Sequence, residues 1–147
     1  MKIYLASPFF SQLHLANVVL LEDAIVATGL ELLSPRRSGI VLKDLTQDER
    51  NKVAAKVYQM NCDWIEECDA MLAMIDDYDP GTIWEMGRAS RIPRPIYSVS
   101  FADHGVNVML QGCVAAHARG IEQVREMLGL VRDGKCVDEK FRSYAAT

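Results

Sequence analysis

The sequence predicts an α/β domain in which a doubly wound, mostly parallel sheet of five strands has helices on both faces. Three observations lead to this fold class. Short apolar runs alternate with segments of helical periodicity, and the connections between them are short. The run from Asp69 to Ile75 is apolar after its first residue, which is typical of a parallel strand that is covered on both faces.

In the first half of the chain, residues that interrupt regular structure mark the ends of the elements. We expect strands at residues 2–6 and 30–33 and helices at residues 11–28 and 46–68. Proline follows each of the two strands within two residues, and Gly29 ends the first helix. After a polar loop at residues 36–45, Thr46 and Glu49 have the spacing of a capping box, so the long second helix begins there.

The second half repeats the alternation. We expect strands at residues 69–75, 95–100 and 113–117 and helices at residues 82–92 and 121–131. The third helix ends before Pro93, and apolar residues recur at helical spacing in the last one. Residues 133–147 show no clear pattern. Because there is no repeat or composition shift, we expect residues 1–147 to form one domain, and the element order is typical of Rossmann- or flavodoxin-like folds.

Composition excludes several classes of protein. The chain has 147 residues, half of them hydrophobic, and a net charge of −4. An acidic chain of this kind lacks the basic surface that nucleic-acid binding needs, and its apolar content excludes a disordered chain. No stretch is suited to a signal peptide or a membrane span. We therefore expect a cytoplasmic domain that binds a small molecule, without membrane or nucleic-acid partners.

The cysteines and histidines do not indicate a metal site. Four cysteines are scattered along the chain and no histidine cluster accompanies them: Cys62, Cys68, Cys113 and Cys136. We interpret them as thiols of a reducing compartment. His14, His104 and His117 are interpreted as surface or structural residues, so we expect no metal and no cofactor.

Ligands of parallel sheets bind beyond the carboxyl ends of the strands. In this chain the segments there are residues 7–12, 35–41, 76–85 and 101–109. The richest is the acidic loop that leads into the third helix, because Asp76, Asp77 and Asp79 would repel one another in a purely structural turn. Gly81 would allow the tight turn into this helix, and Gly87 would let the helix lie close to the sheet.

Two carboxylates are candidates for chemistry. Glu85 lies about one turn into the third helix, where the helix N-terminus would stabilise the anion and suit it to nucleophilic attack. An ordinary first-turn glutamate would give the same pattern. Asp63 lies at the boundary between the buried and solvated faces of the second helix, so it could point into the cleft or lie on the surface.

Several segments together resemble the nucleoside 2-deoxyribosyltransferases. They lie in the family's order and cover most of the chain to about Leu110: residues 2–10 (KIYLASPFF), 68–70 (CDA), 79–89 (DPGTIWEMGRA) and 107–110 (NVML). Each match is modest, and their conjunction is specific.

The resemblance implies roles for individual residues. Glu85 would attack the anomeric carbon of a 2-deoxyribonucleoside and form a covalent deoxyribosyl-enzyme, from which a second base takes the sugar with retention. Tyr4 would orient this nucleophile. Asp63 would contact the sugar or assist protonation of the leaving base. The substrate-binding residues implied by the resemblance are Asp79 and Gly81 in the acidic loop, Phe9 and Phe10 beside the base, and Asn107 and Met109. The last two would reach a neighbouring active site, which implies a homo-oligomer, and the activity implies a role in nucleoside salvage.

The sequence leaves alternatives open. The spacing from Asp63 to Asp69 is closer to the related N-glycosidases that hydrolyse nucleoside 5′-monophosphates, but the stretch after the first strand lacks their phosphate-binding residues. Arg36 and Arg37 could supply a phosphate partner, although exposed arginines on loops are more often solvated. The alternatives to transfer are therefore hydrolysis of a nucleoside or its 5′-monophosphate, and a catalytically silent binding module. The preference for purine or pyrimidine bases, the tolerance of ribose and the number of subunits stay open.

Overall fold

The five predicted strands form one sheet in which all neighbouring strands are parallel. The computed structural model describes residues 1–40, 46–103, 105–137 and 141. The strands are β1 (Lys2–Ala6), β2 (Glu31–Leu33), β3 (Ala70–Met74), β4 (Ile96–Ser100) and β5 (Ala116–Arg119). Their order across the sheet is β2-β1-β3-β4-β5. The predicted α/β class is confirmed, and the sheet is wholly rather than mostly parallel.

Helices cover both faces of this sheet. They are α1 (Gln12–Ala27), α2 (Gln47–Glu67), α3 (Pro80–Ala89), the short α4 (Val108–Gln111) and α5 (Gly120–Arg132), with 3₁₀ turns at Pro35–Ser38 and Asp76–Tyr78. One apolar core lies between the sheet and α1 and α5. The other lies between the sheet and α2, α3 and α4. No helix in the described part of the chain is long and apolar enough to cross a membrane.

Local hydrogen bonds explain where the helices begin. The predicted capping box is confirmed, because the Thr46 hydroxyl accepts from the Glu49 N–H at 3.3 Å and the Glu49 carboxylate accepts from the Thr46 N–H at 2.8 Å. Helix α3 begins two residues earlier than predicted, since Asp79 caps it and Pro80 occupies its first position, where proline is well tolerated.

The fifth strand lies further along the chain than predicted, and residues 113–115 do not form part of it. Asn107 caps the short helix α4, and the N–H groups of Cys113 and Val114 both donate to the Leu110 carbonyl at its end. Residues 113 and 114, predicted to begin the strand, therefore belong to this turn. The predictions for residues 41–45, for His104 and for most of the tail lie outside the described residues.

The topology creates one crevice that is suited to a ligand. From β1 the chain crosses to β2 on one side, and β3 then pairs with β1 on the other side. The connections that follow β1 and β3 therefore leave the sheet on opposite faces, through α1 and α3. Such a reversal of strand order is where open parallel sheets bind ligands.

Candidate active site

Glu85 is held at this crevice by two hydrogen bonds to one of its carboxylate oxygens. Its Oε1 accepts from the Tyr4 hydroxyl at 2.7 Å and from the Asn61 side-chain amide at 3.4 Å. Tyr4 lies in the middle of β1 and is fully buried. Three elements that are distant in sequence, β1, α2 and α3, thus converge on a single carboxylate.

The protonation of Glu85 reflects competing effects. Burial raises the pKa of Glu85 to about 7, and the charge of Asp79 adds to the rise, while the hydrogen bonds from Tyr4 and Asn61 oppose it. Burial also raises the pKa of Tyr4, so its hydroxyl remains a donor at neutral pH. The expected stabilisation of Glu85 by the helix N-terminus is overturned, because Glu85 is the sixth residue of α3 and the dipole effect fades beyond the first turn.

Asp79 is fixed at the wall of the crevice by the start of α3. Its Oδ2 accepts from the Thr82 N–H at 2.8 Å and from the Thr82 hydroxyl at 3.2 Å. A Cβ atom at Gly81 would lie 3.1 Å from this oxygen, so the glycine leaves room for the carboxylate. Gly81 thus serves the placement of Asp79 rather than a tight turn.

The turn before Asp79 is anchored to the loop that follows β4. The buried Asp76 accepts from the Phe101 N–H at 3.0 Å and from the Ala102 N–H at 2.8 Å. Asp77 and Tyr78 both have left-handed backbone angles, with φ of 59° and 47°. Such angles are costly for residues other than glycine and persist only where surrounding contacts enforce them.

The three aspartates of the acidic loop lie in different surroundings. Asp76 faces the loop after β4, and Asp77 pairs with His14 at 3.0 Å. Only Asp79 and Glu85 among the described carboxylates line the crevice. Gly87 also differs from expectation, because a Cβ there would meet nothing within 4 Å and the residue is exposed.

The crevice is a cavity of about 620 Å³, within the range of small-molecule sites, roughly 300–1,000 Å³. Its described lining is mostly apolar, with hydroxyl, amide and carboxylate groups and no lysine or arginine: Ser7, Phe9, Phe10, Pro35, Ser38, Ile40, Val57, Asn61, Asp79, Gly81, Thr82 and Glu85. The rings of Phe9 and Phe10 lie 5.1 Å apart between centroids at its edge. Such a site offers an aromatic surface, a largely buried carboxylate at Glu85 and a second carboxylate at Asp79.

The structure does not bring Asp63 to this cavity. Asp63 is exposed, and its carboxylate accepts from the Gln59 amide at 2.7 Å. Asn61, which the sequence reasoning missed, contacts Glu85 instead. Val57, Asn61 and Ile65 are spaced by four residues and share one face of α2, whereas Asp63 is rotated about 200° from Asn61. That spacing is the signal that would have identified Asn61.

Asn107 and Met109 lie on the other side of α3. They line a separate cavity of about 660 Å³ together with Tyr78, Pro80, Ile83, Trp84 and Leu110. Met109 is 79% exposed. Within one chain, therefore, neither residue lines the cavity that contains Glu85.

Comparison with known proteins agrees with the fold. The sequence pattern of the family described as nucleoside 2-deoxyribosyltransferase matches residues 3–140. Among curated proteins, none matches the chain significantly. The solved structures that share the fold include the three described next.

The first is a 2-deoxyribosyltransferase from the psychrotolerant bacterium Bacillus psychrosaccharolyticus, which has 28% sequence identity and a TM-score of 0.70 over 85% of this chain and 90% of the other. A conserved protein from Enterococcus faecalis has 19% identity and a TM-score of 0.66, covering 87% of this chain and 96% of its own. A CMP N-glycosidase from Clostridium botulinum has 16% identity and a TM-score of 0.60, covering 87% and 98%. The last two likenesses concern the fold alone.

The Tyr4 hydrogen bond makes a prediction about the titration of Glu85. Tyr4→Phe removes a donor to the carboxylate, so we expect the pKa of Glu85 to rise above about 7 by at least about one pH unit. Carboxyl-carbon NMR across a pH series measures this directly. Tyr58→Phe is the matched control, since Tyr58 contacts the Trp84 ring. A midpoint that is the same in both variants would show that the hydrogen bond does not stabilise the anion.

Proposed function

Because the chain belongs to the nucleoside 2-deoxyribosyltransferase family, we propose that it transfers a 2-deoxyribosyl group between nucleobases by two successive displacements at Glu85. The observation that carries the proposal is the carboxylate of Glu85, which is held by Tyr4 at 2.7 Å at a cavity of about 620 Å³. The apolar walls and the two phenylalanine rings suit a flat, uncharged base.

In the first displacement, a Glu85 oxygen attacks the anomeric carbon of a 2-deoxyribonucleoside. The carbon–nitrogen bond breaks, its electron pair leaves with the base, and a glycosyl ester forms on Glu85. A nitrogen of the second base then attacks the same carbon from the opposite side and releases the carboxylate. Two inversions leave the configuration of the sugar unchanged. Both described hydrogen bonds of Glu85 go to Oε1, so we assign the attack to Oε2.

The leaving base needs a proton, and the incoming base must lose one. Asp79, whose charge raises the pKa of Glu85, is the other described carboxyl group of the cavity lining. We assign to it the acceptance of a hydrogen bond from the protonated base, while water supplies and removes the proton. The resemblance gave Asp63 a part in this step. Asn61 lies at the nucleophile instead, and an amide can orient Glu85 by donating to it but cannot supply the proton.

We also propose that the active protein is a homo-oligomer in which Asn107 and Met109 complete a neighbouring site. Two observations support this. Met109 is largely exposed beside Trp84 and Tyr78, which are also exposed, so the surface there is apolar. The two residues line a cavity other than the one containing Glu85 in their own chain.

Removing the nucleophile tests the proposed reaction. We expect Glu85→Ala to reduce base exchange between deoxyadenosine and cytosine by roughly a thousandfold or more, because no covalent intermediate can form. Chromatography of the nucleosides measures the exchange. Intact-protein mass spectrometry of the wild type without an acceptor base should show one added deoxyribosyl group.

The matched control is Glu31→Gln, which alters an exposed carboxylate at the start of β2, the end of the sheet away from the crevice. It should exchange bases at the wild-type rate. Exchange that persists in Glu85→Ala would refute the assignment of Glu85. Formation of free sugar alone, with no new nucleoside when cytosine is added, would instead identify the wild type as a hydrolase.

The titration of Glu85 predicts the pH dependence of the reaction. Attack needs the anion, and the pKa of Glu85 is about 7. We therefore expect kcat/KM to rise with pH through about 7 and to fall about tenfold for each pH unit well below it. Initial rates between pH 5 and 9 measure the midpoint. A rate that is level down to pH 5 would mean that the nucleophile ionises at the ordinary pKa of a glutamate, or that another residue attacks.

Mixing two inactive variants tests whether sites are shared. Glu85→Ala retains Asn107 and Met109, while a double variant with both of these replaced by alanine retains Glu85. We expect each variant to be impaired alone and activity to return when the two are unfolded together and refolded, since a mixed oligomer contains complete sites. Light scattering establishes that mixed oligomers form. Mixed oligomers that stay as inactive as their parents would exclude a shared site.

A further inference from the structure

A fully buried carboxylate lies outside the proposed catalytic group. Glu22 of α1 is fully buried. One oxygen accepts from the Ser34 hydroxyl at 2.6 Å and from Arg36 Nε at 3.1 Å, and the other accepts from Arg37 Nε at 2.8 Å and from Arg36 Nη2. Burial alone would raise the pKa of Glu22, but the hydrogen bonds from Arg36, Ser34 and Arg37 outweigh it and hold the pKa below its usual value.

These contacts hold one wall of the active-site cavity. Ser34, Arg36 and Arg37 lie before and within the 3₁₀ turn Pro35–Ser38. Pro35 and Ser38, from the same turn, line the cavity that contains Glu85. The backbone of this wall is thus tied to α1 chiefly through the side chain of Glu22.

The same contacts keep both arginines away from the ligand. Neither Arg36 nor Arg37 is among the described residues that line the cavity. Arg37 is also held from a second side, because its Nη2 lies 3.5 Å from the Asp23 carboxylate. The sequence suggested these arginines as candidates for binding a phosphate, whereas in the structure both bind carboxylates.

The charges of the described residues that line the cavity are negative. Asp79 and Glu85 are its only described charged residues. A 5′-phosphate carries up to two negative charges and needs cationic or N–H donors when it is buried. A free 5′-hydroxyl needs only a neutral hydrogen-bond partner, which Ser7, Ser38 or Asn61 can provide.

From this arrangement we propose that Glu22 is a positioning residue that determines substrate class. By fixing the Pro35–Ser38 turn and engaging Arg36 and Arg37, it shapes the cavity for a nucleoside with a free 5′-hydroxyl and against the corresponding 5′-monophosphate. The substrate part of this inference rests on the proposed glycosyl transfer, and the positioning part does not.

The positioning part is tested without any substrate. Glu22→Gln replaces an acceptor oxygen by an N–H₂ group that faces a guanidinium, so the turn should detach from α1. We expect backbone amides of residues 34–40 to exchange with deuterium at least about tenfold faster than in the wild type, because local opening is easier. Glu31→Gln, the same substitution at an exposed glutamate at the start of β2, is the matched control and should leave this exchange unchanged.

A second variant tests the same positioning role in case Glu22→Gln does not fold. Arg37→Ala removes one partner and keeps the bonds from Ser34 and Arg36, so faster exchange confined to the same turn is expected. Unchanged exchange of the turn in folded Glu22→Gln would overturn the positioning role. If Glu22→Gln does not fold, unchanged exchange in Arg37→Ala would overturn it.

The substrate part is tested with deoxycytidine and its 5′-monophosphate as sugar donors. We expect the wild type to favour the nucleoside by at least about a hundredfold in kcat/KM, and Glu22→Gln to reduce this preference about tenfold, mainly through KM. The midpoint of the pH profile should stay at that of the wild type, since Glu85 is untouched. Equal or better use of the monophosphate by the wild type would overturn the inference and leave glycosyl transfer standing. Activity on neither donor would refute the proposed function, and the deuterium exchange of the turn would still decide the role of Glu22.

Discussion

The hydrogen bond from Tyr4 to Glu85 is the contact on which the arrangement of the site depends. It joins β1, an inner strand of the sheet, to a helical residue 81 positions away in sequence. Tyr4 is buried and cannot turn away, so the position of its hydroxyl is set by β1 and the strands on either side. Helix α3 must then approach the sheet at the distance that lets Glu85 reach this hydroxyl. The carboxylate of Glu85 is therefore positioned by a strand that is paired on both sides.

Comparison of the two buried glutamates shows how surroundings decide the use of a carboxylate. Glu22 receives hydrogen bonds from two arginines and a serine, which hold its pKa low and make it a structural anchor. Glu85 receives only neutral donors, and its burial and the neighbouring Asp79 raise its pKa to about 7. A carboxylate that is buried without a cation is destabilising as an anion, and this is the state in which it reacts most readily with an electrophilic carbon. The stability lost at Glu85 is thus a condition of the reactivity that we propose for it.

Local sequence patterns predicted the elements of the fold, while the details of the site depend on contacts between distant segments. The strand and helix order, the capping box at Thr46 and the family resemblance could all be read from residues near one another in the chain. The contact of Asn61, rather than Asp63, with Glu85 depends on the rotation of α2 about its axis, which is set by packing against the sheet. Glu22 binds Arg36 and Arg37, which lie 14 and 15 positions further along the chain. No periodic pattern in the sequence indicates this contact. The raised pKa of Glu85 arises from burial by the whole fold. The position of Glu85 near the predicted start of α3 therefore led to the wrong expectation, an anion stabilised by the helix.

Helix α3 connects the two cavities through consecutive residues. Gly81, Thr82 and Glu85 face the cavity that contains the nucleophile, whereas Ile83 and Trp84 face the cavity lined by Asn107 and Met109. Neighbouring residues on a helix point about 100° apart, so a short helix between two cavities cannot move one set of side chains without the other. A subunit that packs against Trp84 would therefore press on the helix that holds Glu85 2.7 Å from Tyr4. If the proposed oligomer forms through this surface, assembly contributes to catalysis twice, by adding Asn107 and Met109 to a neighbouring site and by fixing the distance between Glu85 and Tyr4 in its own.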